Sequence, residues 1–348
     1  MKINNRNIGK EYPPYIIAEM SANHNGSIEN AKKIILSAKN SGADAVKIQT
    51  YKPDTITLDS NSEDFIVSDG GLWDGRTLFD LYQEAHMPWD WHKPLFNYAS
   101  EVGIDIFSSP FDKTAVDLLE DLNTPAYKIA SFEIIDLPLI KYVASTKKPM
   151  IISTGMANKE EIYEALETAR NSGCDEIALL HCVSSYPANP SDYNLKTIAD
   201  MQKTFKVNVG ISDHTIENTT AITSLAFGSC IVEKHFTLDR LGGGPDDSFS
   251  LEPNELKDLC KNSNIAWKAI GSVNYNLKEA EVPNIKFRRS LYFIKDIKKG
   301  MVIKESDVAS VRPGYGIPPK NFSLIIGKKV TVDVFKNTAV KFSDIHES

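Results

Sequence analysis

Short apolar runs alternate with amphipathic segments along most of the chain. The apolar runs begin at Tyr15 and read YIIAEM, AVKIQT, IDIFSSP, AYKIASFE, MIISTG, IALLHC, VNVGISD and CIVEKHFTL. The segments between them repeat apolar residues at helical spacing near residues 28–40, 92–102, 113–119, 137–145, 159–171, 195–205, 217–226 and 253–269. Asp112 and Asn158 stand where helix N-caps are expected. The pattern therefore predicts eight strand-then-helix units.

The number of these units predicts the fold. Repeated βα units imply a parallel sheet, and eight of them in about 250 residues is the size of a closed (β/α)₈ barrel. We therefore predict a TIM barrel over residues 1–270. An open doubly wound sheet is the alternative, but no glycine-rich phosphate-binding turn follows the first strand to support it.

The alternation stops after Ala269. Residues 271–287 are rich in Asn, Glu and Lys, and we predict a linker there. Residues 288–348 combine short apolar runs with Lys-Gly and Pro-Gly turns, which predicts a small β-rich domain. A unit of this size is only marginally stable alone, so it should pack on another surface. Arg312, in VRPGYG, is either a surface turn residue or an arginine delivered to an anionic or polyhydroxyl ligand.

Polar side chains collect at the predicted carboxyl ends of the strands. Active sites of TIM barrels lie at this end of the barrel. Each of these residues alone is explained as a turn or cap residue, but their recurrence at every strand end predicts an active site. They are Glu19, Lys47, Gln49, Ser108, Ser109, Lys128, Ser131, Glu133, Ser153, Thr154, His181, Ser184, Ser185, Tyr186, Ser212, His214, Glu233 and His235.

Two histidines follow the last two predicted strands. Because strand side chains alternate between faces, Ser212 shares a face with His214, and Glu233 shares one with His235. If these strands are parallel neighbours, both imidazoles lie at the same end of the sheet and can converge on one cation. Two histidine ligands leave open positions for substrate oxygen. The alternative is that each histidine is a hydrogen-bonded core or loop residue.

Two lysines lie inside otherwise apolar strands. An unpaired buried lysine costs several kcal/mol, so Lys47 and Lys128 each predict a facing anion. Serine hydroxyls at neighbouring strand ends complete a cradle for phosphate and carboxylate groups: Ser109, Ser131, Ser153, Ser184 and Ser212. Glu19, Glu133 and Asp246 remain as candidate acid/base groups or partners of sugar hydroxyls.

Composition narrows the partners and the compartment. A net charge of −7 argues against a nucleic-acid groove as the main function, because phosphate backbones need a basic surface. The four cysteines include no CxxC pair, which predicts free thiols in a reducing compartment. The first residues lack the apolar core of a signal peptide, and no apolar run approaches membrane-spanning length. We therefore expect a cytoplasmic protein that binds neither nucleic acid nor membrane.

Several motifs, in order along nearly the whole chain, resemble the sialic acid synthase family. They are IIAEMSANHNGS, GADAVKIQT, FSSPFD, YKIASFE, IISTGM, HCVSSYP, VGISDHT, VEKHFTLD, GPDDSFSL and VRPGYG. The resemblance implies a TIM barrel, an antifreeze-like (SAF) domain, a domain-swapped homodimer, and condensation of phosphoenolpyruvate with an acylamino sugar. SANHNGS, the segment around GGLW, and SFSL are most similar to the pseudaminic acid branch. The N-acetylneuraminate and legionaminic acid branches are the alternatives.

The resemblance also implies roles for individual residues. His214 and His235 would bind a divalent metal ion, Mn²⁺ first, with Mg²⁺ or Co²⁺ as alternatives. The residues that would bind phosphoenolpyruvate are Lys47, Ser109, Lys128, Ser131, Ser153, Ser212 and Ser184, the last standing where the sialic acid branch carries asparagine. Those that would contact the sugar are Gln49, Glu133, Tyr186 and Asp246. Arg312 of the small domain would also contact it, by reaching into the barrel of the partner subunit.

Two functions of different classes remain at this point. The first is the condensing enzyme that the resemblance implies. In this enzyme a carboxylate would deprotonate the water that adds during the reaction or stabilise the cation that the water attacks; Glu19 is the first candidate for this role and Glu133 the second. The alternative is a carbohydrate-binding protein with an inactive barrel, in which the small domain recognises glycans.

Overall fold

The structure, a computed structural model, describes residues 1–68 and 70–346. It divides into one unit over Met1–Gly271 and a second unit from Ser272 onward. Among the helices of the described residues, none has both the length and the apolar character needed to cross a membrane.

Eight parallel strands of the first unit form a closed barrel in chain order. The eighth strand closes the barrel by pairing with the first, with His235 opposite Glu19. The predicted TIM barrel is therefore confirmed, and the open sheet is excluded. The strands are Tyr15–Glu19, Ala45–Thr50, Asp105–Pro110, Tyr127–Ile129, Met150–Ser153, Ile177–Cys182, Asn208–Ser212 and Ile231–His235.

Helices follow the strands and bury their apolar faces against the barrel. Asp112 caps its helix by accepting hydrogen bonds from the backbone N–H groups of Thr114 and Ala115. Asn158 and Glu161 form a capping box at another helix start. Both predicted caps are confirmed. The helices around the barrel are Ile28–Ser41, Trp89–Val102, Lys113–Asp121, Leu137–Ser145, Lys159–Asn171, Lys196–Phe205, Thr219–Ser224 and Pro253–Ile270.

A short N-terminal hairpin packs against inward-facing residues of the barrel strands. It pairs Lys2–Ile3 with Arg6–Asn7. Ile3 joins a buried cluster with inward residues of the strands, among them Phe107 and Leu180. Sequence analysis missed this hairpin because two residues per strand are too few to show a period. The cluster fills one part of the barrel interior and leaves the carboxyl ends of the strands for a cavity.

The chain makes a long excursion over residues 51–88, between the second strand and the helix Trp89–Val102. The excursion contains the short helix Pro53–Ile56 and the longer helix Leu78–Ala85. Trp73 attaches it to the loop after the eighth strand, because the indole Nε1–H donates to the carbonyl oxygen of Pro245 at 3.2 Å.

The second unit has its own apolar core. Its antiparallel ladder pairs Ser290–Phe293 with Val308–Val311, and isolated bridges and the one-turn helix Phe322–Ile325 complete it. The predicted β-rich character therefore takes the form of one short ladder plus single bridges. Residues 271–289 are exposed throughout and include the 3₁₀ segment Glu279–Phe287. The core residues include Leu291, Phe293, Ile303, Ile325, Val330 and Val340.

Candidate active site

A cavity of about 450 Å³ opens at the carboxyl ends of the barrel strands. This volume falls in the range of roughly 300–1,000 Å³ that small-molecule sites occupy. The predicted site residues that line it are Glu19, Lys47, Gln49, Ser109, Lys128, Ser131, Glu133, Ser153, Tyr186, Ser212, His214, Glu233, His235 and Asp246. Side chains from all eight strands or the residues that follow them therefore meet in one place.

The two buried lysines share a carboxylate. Lys47 Nζ lies 3.1 Å and Lys128 Nζ 3.3 Å from the same oxygen, Oε1 of Glu233. Lys47 Nζ is also 3.3 Å from Glu19 Oε2. The predicted anions opposite the lysines are thus carboxylates of the protein itself in this structure.

Burial and mutual attraction shift the ionisation of the groups in this cluster. Burial opposes ionisation of Glu233, but Lys128 and Lys47 outweigh it and hold its pKa at about 2. Burial raises the pKa of Glu19 to about 7, although Lys47 opposes the shift. Near neutral pH, two lysines therefore face one full carboxylate and one partly protonated carboxyl. Burial lowers the pKa of Lys128, although Glu233 opposes the shift, and an anionic ligand beside this lysine would favour its charged form.

Two serine hydroxyls in the cavity lack hydrogen-bond partners. The buried Oγ atoms of Ser109 and Ser153 make no hydrogen bond to any described residue. Ser131 Oγ accepts from the backbone N–H of Gly155 at 3.2 Å, and Ser212 Oγ donates to Glu233 Oε1 at 3.0 Å. An unsatisfied buried hydroxyl costs about 1–3 kcal/mol. These atoms are thus suited to a ligand that supplies acceptor oxygens beside the lysines.

Gly155 allows a close approach that any side chain would prevent. A Cβ at this position would collide with Ser184 Oγ and lie 2.8 Å from Ser131 Oγ. Ser184 does not itself line the cavity; its role as a ligand contact stays a prediction. The glycine thus leaves room for two predicted phosphate-binding hydroxyls in their present positions.

We expect Gly155→Ala to lower kcat/KM for the anionic substrate by roughly 10- to 100-fold, since displacing binding groups by about 1 Å has effects of this size. Steady-state kinetics at saturating second substrate would measure it. Gly9→Ala is the matched control, because a Cβ there meets only ordinary contacts of 3.5 Å and longer. Unchanged kinetics in Gly155→Ala would contradict the assignment.

The two histidines approach each other as predicted. Their ring centroids are 5.5 Å apart. His214 Nδ1 lies 2.8 Å from the carbonyl oxygen of Val183, so this nitrogen carries the hydrogen and donates it. Nε2 then presents its lone pair, 3.3 Å from Ser212 Oγ. His235 Nδ1 is buried and has no hydrogen-bond partner among the described residues.

This pair fits a divalent cation. A ligating histidine commonly donates its other ring N–H to a carbonyl group, as His214 does. The unpartnered His235 Nδ1, 3.9 Å from Asp246 Oδ2, can supply a second lone pair in the tautomer with its hydrogen on Nε2. Within the described residues, no group of three or more His, Cys, Asp or Glu side chains is arranged to hold a metal ion. A cation here would therefore take its remaining ligands from substrate or water.

A polar network connects the first two strands to the loop after the eighth. Gln49 Nε2 donates to Glu19 Oε1 at 2.9 Å and to Ser21 Oγ at 3.0 Å. Ser21 Oγ in turn donates to Asp246, whose pKa burial raises. Glu133 stands apart, because its buried Oε2 has no partner among the described residues and burial raises its pKa to about 7.

Besides Ser184, four residues predicted at strand ends do not line the cavity: Ser108, Thr154, His181 and Ser185. His181 lies on the sixth strand, but its Nε2 is hydrogen-bonded to the carbonyl oxygen of Tyr193, and the side chain is absent from the cavity lining. Its neighbour Cys182 lines the cavity instead, with Sγ 3.9 Å from His214 Nδ1. Strand alternation carried this signal, since Cys182 and Leu180 share the inward face.

Tyr186, a predicted site residue, has its ring centroid 4.3 Å from that of His214 and 5.3 Å from that of Phe249.

Other lining residues were not predicted to form the site. Ser21 and several apolar residues of the excursion also line the cavity. Sequence analysis did not assign them because apolar and small residues in a long loop carry no chemical signal. Arg312 belongs to the second unit and is exposed; its role stays a prediction.

An ion pair lies next to the histidines in sequence but outside the cavity lining. Lys234 Nζ is 3.1 Å from Asp213 Oδ2, and both side chains are fully buried. The same ammonium group donates to the carbonyl oxygens of Thr215 and Glu217. Asp213 precedes His214 and Lys234 precedes His235, so this pair joins the ends of the two histidine-bearing strands.

Comparison with known proteins agrees with this geometry. The NeuB family matches residues 34–275, and the SAF domain matches residues 288–346. Pseudaminic acid synthases of Campylobacter jejuni and Helicobacter pylori are 43% and 41% identical to the chain; the alignments cover 99% and 97% of this chain and 99% of each relative.

A solved structure shares the fold. The N-acetylneuraminic acid (sialic acid) synthetase of Leptospira borgpetersenii serovar Hardjo-bovis, in complex with citrate, superimposes with a TM-score of 0.73 at 29% identity. The match covers 82% of this chain and 94% of that one. Since the family match covers most of the chain and the two relatives are similar over nearly their whole length, this chain belongs to the NeuB family.

Proposed function

We propose that the chain is a pseudaminic acid synthase, which condenses phosphoenolpyruvate with 2,4-diacetamido-2,4,6-trideoxy-L-altrose to give pseudaminic acid and phosphate. One observation carries the proposal: two buried lysines and unpartnered serine hydroxyls share a cavity with a pair of histidines. The similarity to pseudaminic acid synthases supports this choice of sugar.

The lysines and serines account for the first substrate. Lys47 and Lys128 would neutralise the phosphate and carboxylate groups of phosphoenolpyruvate, and Ser109 and Ser153 would donate the hydrogen bonds that they lack in the free protein. Glu233 keeps both ammonium groups in place before the substrate arrives. Binding thus replaces unsatisfied groups with charge-assisted hydrogen bonds.

The histidines account for the aldehyde of the open-chain sugar. His214 and His235 are the residues that would hold a divalent cation, Mn²⁺ in our proposal, which when bound supplies Lewis-acid polarisation of a carbonyl group. Gln49, Tyr186 and Asp246 line the same region of the cavity and would orient the sugar. Orientation of two reactants in one site is itself a large part of catalysis.

The bond changes then follow from the chemistry of an enol phosphate. C3 of phosphoenolpyruvate forms a bond to the aldehyde carbon, whose oxygen takes up a proton to become a hydroxyl, and positive charge is left at C2. Water adds to C2 and gives up a proton, for which Glu19 is the proposed acceptor. Phosphate departs with the oxygen that linked it to C2, so the C–O bond breaks; the hydroxyl added at C2 becomes the ketone carbonyl, and its proton leaves with the phosphate.

Glu19 is assigned to the proton because it lies beside the lysine that would hold phosphoenolpyruvate, and because a base with a pKa of about 7 suits neutral pH. A base must be ionised, so we expect kcat/KM to rise with pH and level off above about 7. Glu19→Gln should reduce this rise to the part that phosphoenolpyruvate itself contributes and should lower kcat by about 10²–10⁴-fold.

Glu133→Gln is the comparison, since the pKa of Glu133 is also raised to about 7. Phosphoenolpyruvate titrates in the same range, but its contribution is common to every variant. If the pH-dependent rise survives in Glu19→Gln and disappears in Glu133→Gln, the roles of the two carboxyls are exchanged.

The substrate assignment is tested by phosphate release. The purified protein is given phosphoenolpyruvate and Mn²⁺ with the trideoxy-diacetamido altrose, the legionaminic acid precursor or N-acetylmannosamine. We expect turnover to be fastest with the altrose. Turnover of N-acetylmannosamine without turnover of the altrose would show that the proposed sugar substrate is wrong. If the protein binds sugars but neither turns them over nor binds phosphoenolpyruvate, the result would support a carbohydrate-binding protein.

We further propose a domain-swapped homodimer in which Arg312 acts at the partner's barrel, within a cytoplasmic pathway for cell-surface glycans such as those of flagellin. Arg312 is exposed between apolar residues of the small unit, which leaves its guanidinium free for another surface. An Arg312→Ala chain mixed and refolded with a His235→Ala chain should regain part of the activity. Failure of every mixture to exceed the separate chains would contradict the swap.

A further inference from the structure

The cavity has two chemically different walls. The barrel strands supply lysines, carboxyls, hydroxyls and imidazoles. The 51–88 excursion contributes the other wall, and none of its described charged residues lines the cavity. We call this second surface the apolar wall; its described members are Tyr51, Ile56, Val67, Trp73, Leu78, Leu81, Tyr82 and Ala85, and their only polar side-chain groups are the two tyrosine hydroxyls and the indole N–H.

A short helix gives the apolar wall its shape. In Leu78–Ala85 the residues at positions 78, 81, 82 and 85 all line the cavity, which is the i, i+3, i+4, i+7 spacing of one helix face. Thr77 caps the helix by accepting from the backbone N–H of Asp80. Phe79 and Gln83 face a separate surface groove instead. One face of the helix is therefore dedicated to the cavity.

The apolar wall contacts the part of the cavity where the proposed sugar-binding residues lie. The hydrogen bond from Trp73 to Pro245 fixes the excursion next to Asp246, a proposed sugar contact. The Trp73 ring also lies 6.1 Å from the ring of Tyr186. The polar wall already supplies the groups that would bind phosphoenolpyruvate and the aldehyde of the sugar. The apolar wall is therefore left to contact the part of the sugar that is distant from the aldehyde.

We propose that the apolar wall binds the methyl-bearing part of the sugar and selects a 6-deoxy substrate over its 6-hydroxy counterpart. The inference rests on the proposed function, whose sugar carries a C6 methyl group and two acetamido methyl groups. A hydroxyl pressed against aliphatic side chains loses its hydrogen bonds to water without replacement. Apolar pockets discriminate against one added hydroxyl by about 100-fold.

The experiment compares sugars that differ only at C6. One pair is the trideoxy-diacetamido altrose and its 6-hydroxy analogue; the other is 6-deoxy-N-acetylmannosamine and N-acetylmannosamine. We expect kcat/KM to favour the deoxy member by about 100-fold. Leu78→Gln and Ile56→Thr, each at a half-buried position, should reduce this preference about tenfold by offering the hydroxyl a partner, with KM for phosphoenolpyruvate unchanged.

Leu58→Gln is the matched control, because Leu58 belongs to the same excursion, is 65% exposed and does not line the cavity. It should keep the wild-type preference. Equal kcat/KM for both members of a pair, or an undiminished preference in both folded wall variants, would overturn the proposal.

Two outcomes separate this proposal from the proposed function. If only the mannosamine pair turns over, the substrate assignment fails, and the ratio of kcat/KM within that pair tests the role of the apolar wall. If neither pair turns over, calorimetric Kd values of the same four sugars with phosphoenolpyruvate present decide. Tighter binding of the deoxy members supports the wall, whereas equal binding or no binding overturns it.

Discussion

His235→Ala is expected to lose roughly 10³-fold in kcat while the barrel stays folded. Lewis-acid polarisation supplies several kcal/mol to such reactions, and about 1.36 kcal/mol corresponds to a tenfold change in rate. Alanine would remove edge-on ring contacts with Tyr186 and Phe249 but would break no hydrogen bond of Nδ1, which has no partner among the described residues. Its loss should therefore affect catalysis far more than stability.

The measurement is phosphate release with added Mn²⁺, repeated after treatment with EDTA. The wild-type protein should lose activity in EDTA and recover it with Mn²⁺, and the variant should be inactive in both conditions. Titration of Mn²⁺ by electron paramagnetic resonance should show weaker binding to the variant. His86→Ala, at the end of the helix Leu78–Ala85, should behave as wild type. Full wild-type activity in EDTA would show that the histidines do not hold a catalytic metal.

Lys234→Met is expected to destabilise the barrel by about 3–5 kcal/mol, the range found when one member of a buried ion pair is removed. The substitution leaves Asp213 charged and at most 1% exposed, and removes the donor of two backbone carbonyls. The loss is large because the interaction that remains for Asp213 among the described residues, a hydrogen bond from the backbone N–H of Thr215, does not neutralise the buried carboxylate.

Urea unfolding measures this effect through tryptophan fluorescence, since all four tryptophans lie in the first unit. Asp213→Leu combined with Lys234→Met should recover much of the stability, because no unpaired buried charge remains. Lys32→Met is the control: Lys32 pairs with Glu29 on an exposed helix face, where such pairs contribute about 0.5 kcal/mol or less. A loss below about 1 kcal/mol in Lys234→Met would show that the buried pair is not important for stability.

The barrel could be predicted because its signals are strong and repeated. Each strand is a short apolar run, and each helix has a clear period and, at Asp112 and Asn158, a recognisable cap. The histidine pair was predictable for the same reason: matched strand ends in neighbouring parallel strands must be close in space.

Other features depend on contacts that no local pattern encodes. Lys47 and Lys128 predicted an anion, but the choice of Glu233 as their shared partner follows from barrel closure, which brings the eighth strand beside the first. The apolar wall was also out of reach, because apolar residues in a long excursion look the same whether they pack inward or line a cavity. His181 shows that alternation must be applied strictly, since the neighbouring Cys182 takes the inward position.

The central claim is that this cavity joins phosphoenolpyruvate to an aldehyde sugar with cleavage of the C–O bond. The most direct test uses phosphoenolpyruvate labelled with ¹⁸O at the oxygen that bridges C2 and phosphorus, followed by ³¹P NMR of the released phosphate. We predict that the phosphate carries the label and appears only when the sugar is present. Unlabelled phosphate, or release of phosphate without sugar, would contradict the account.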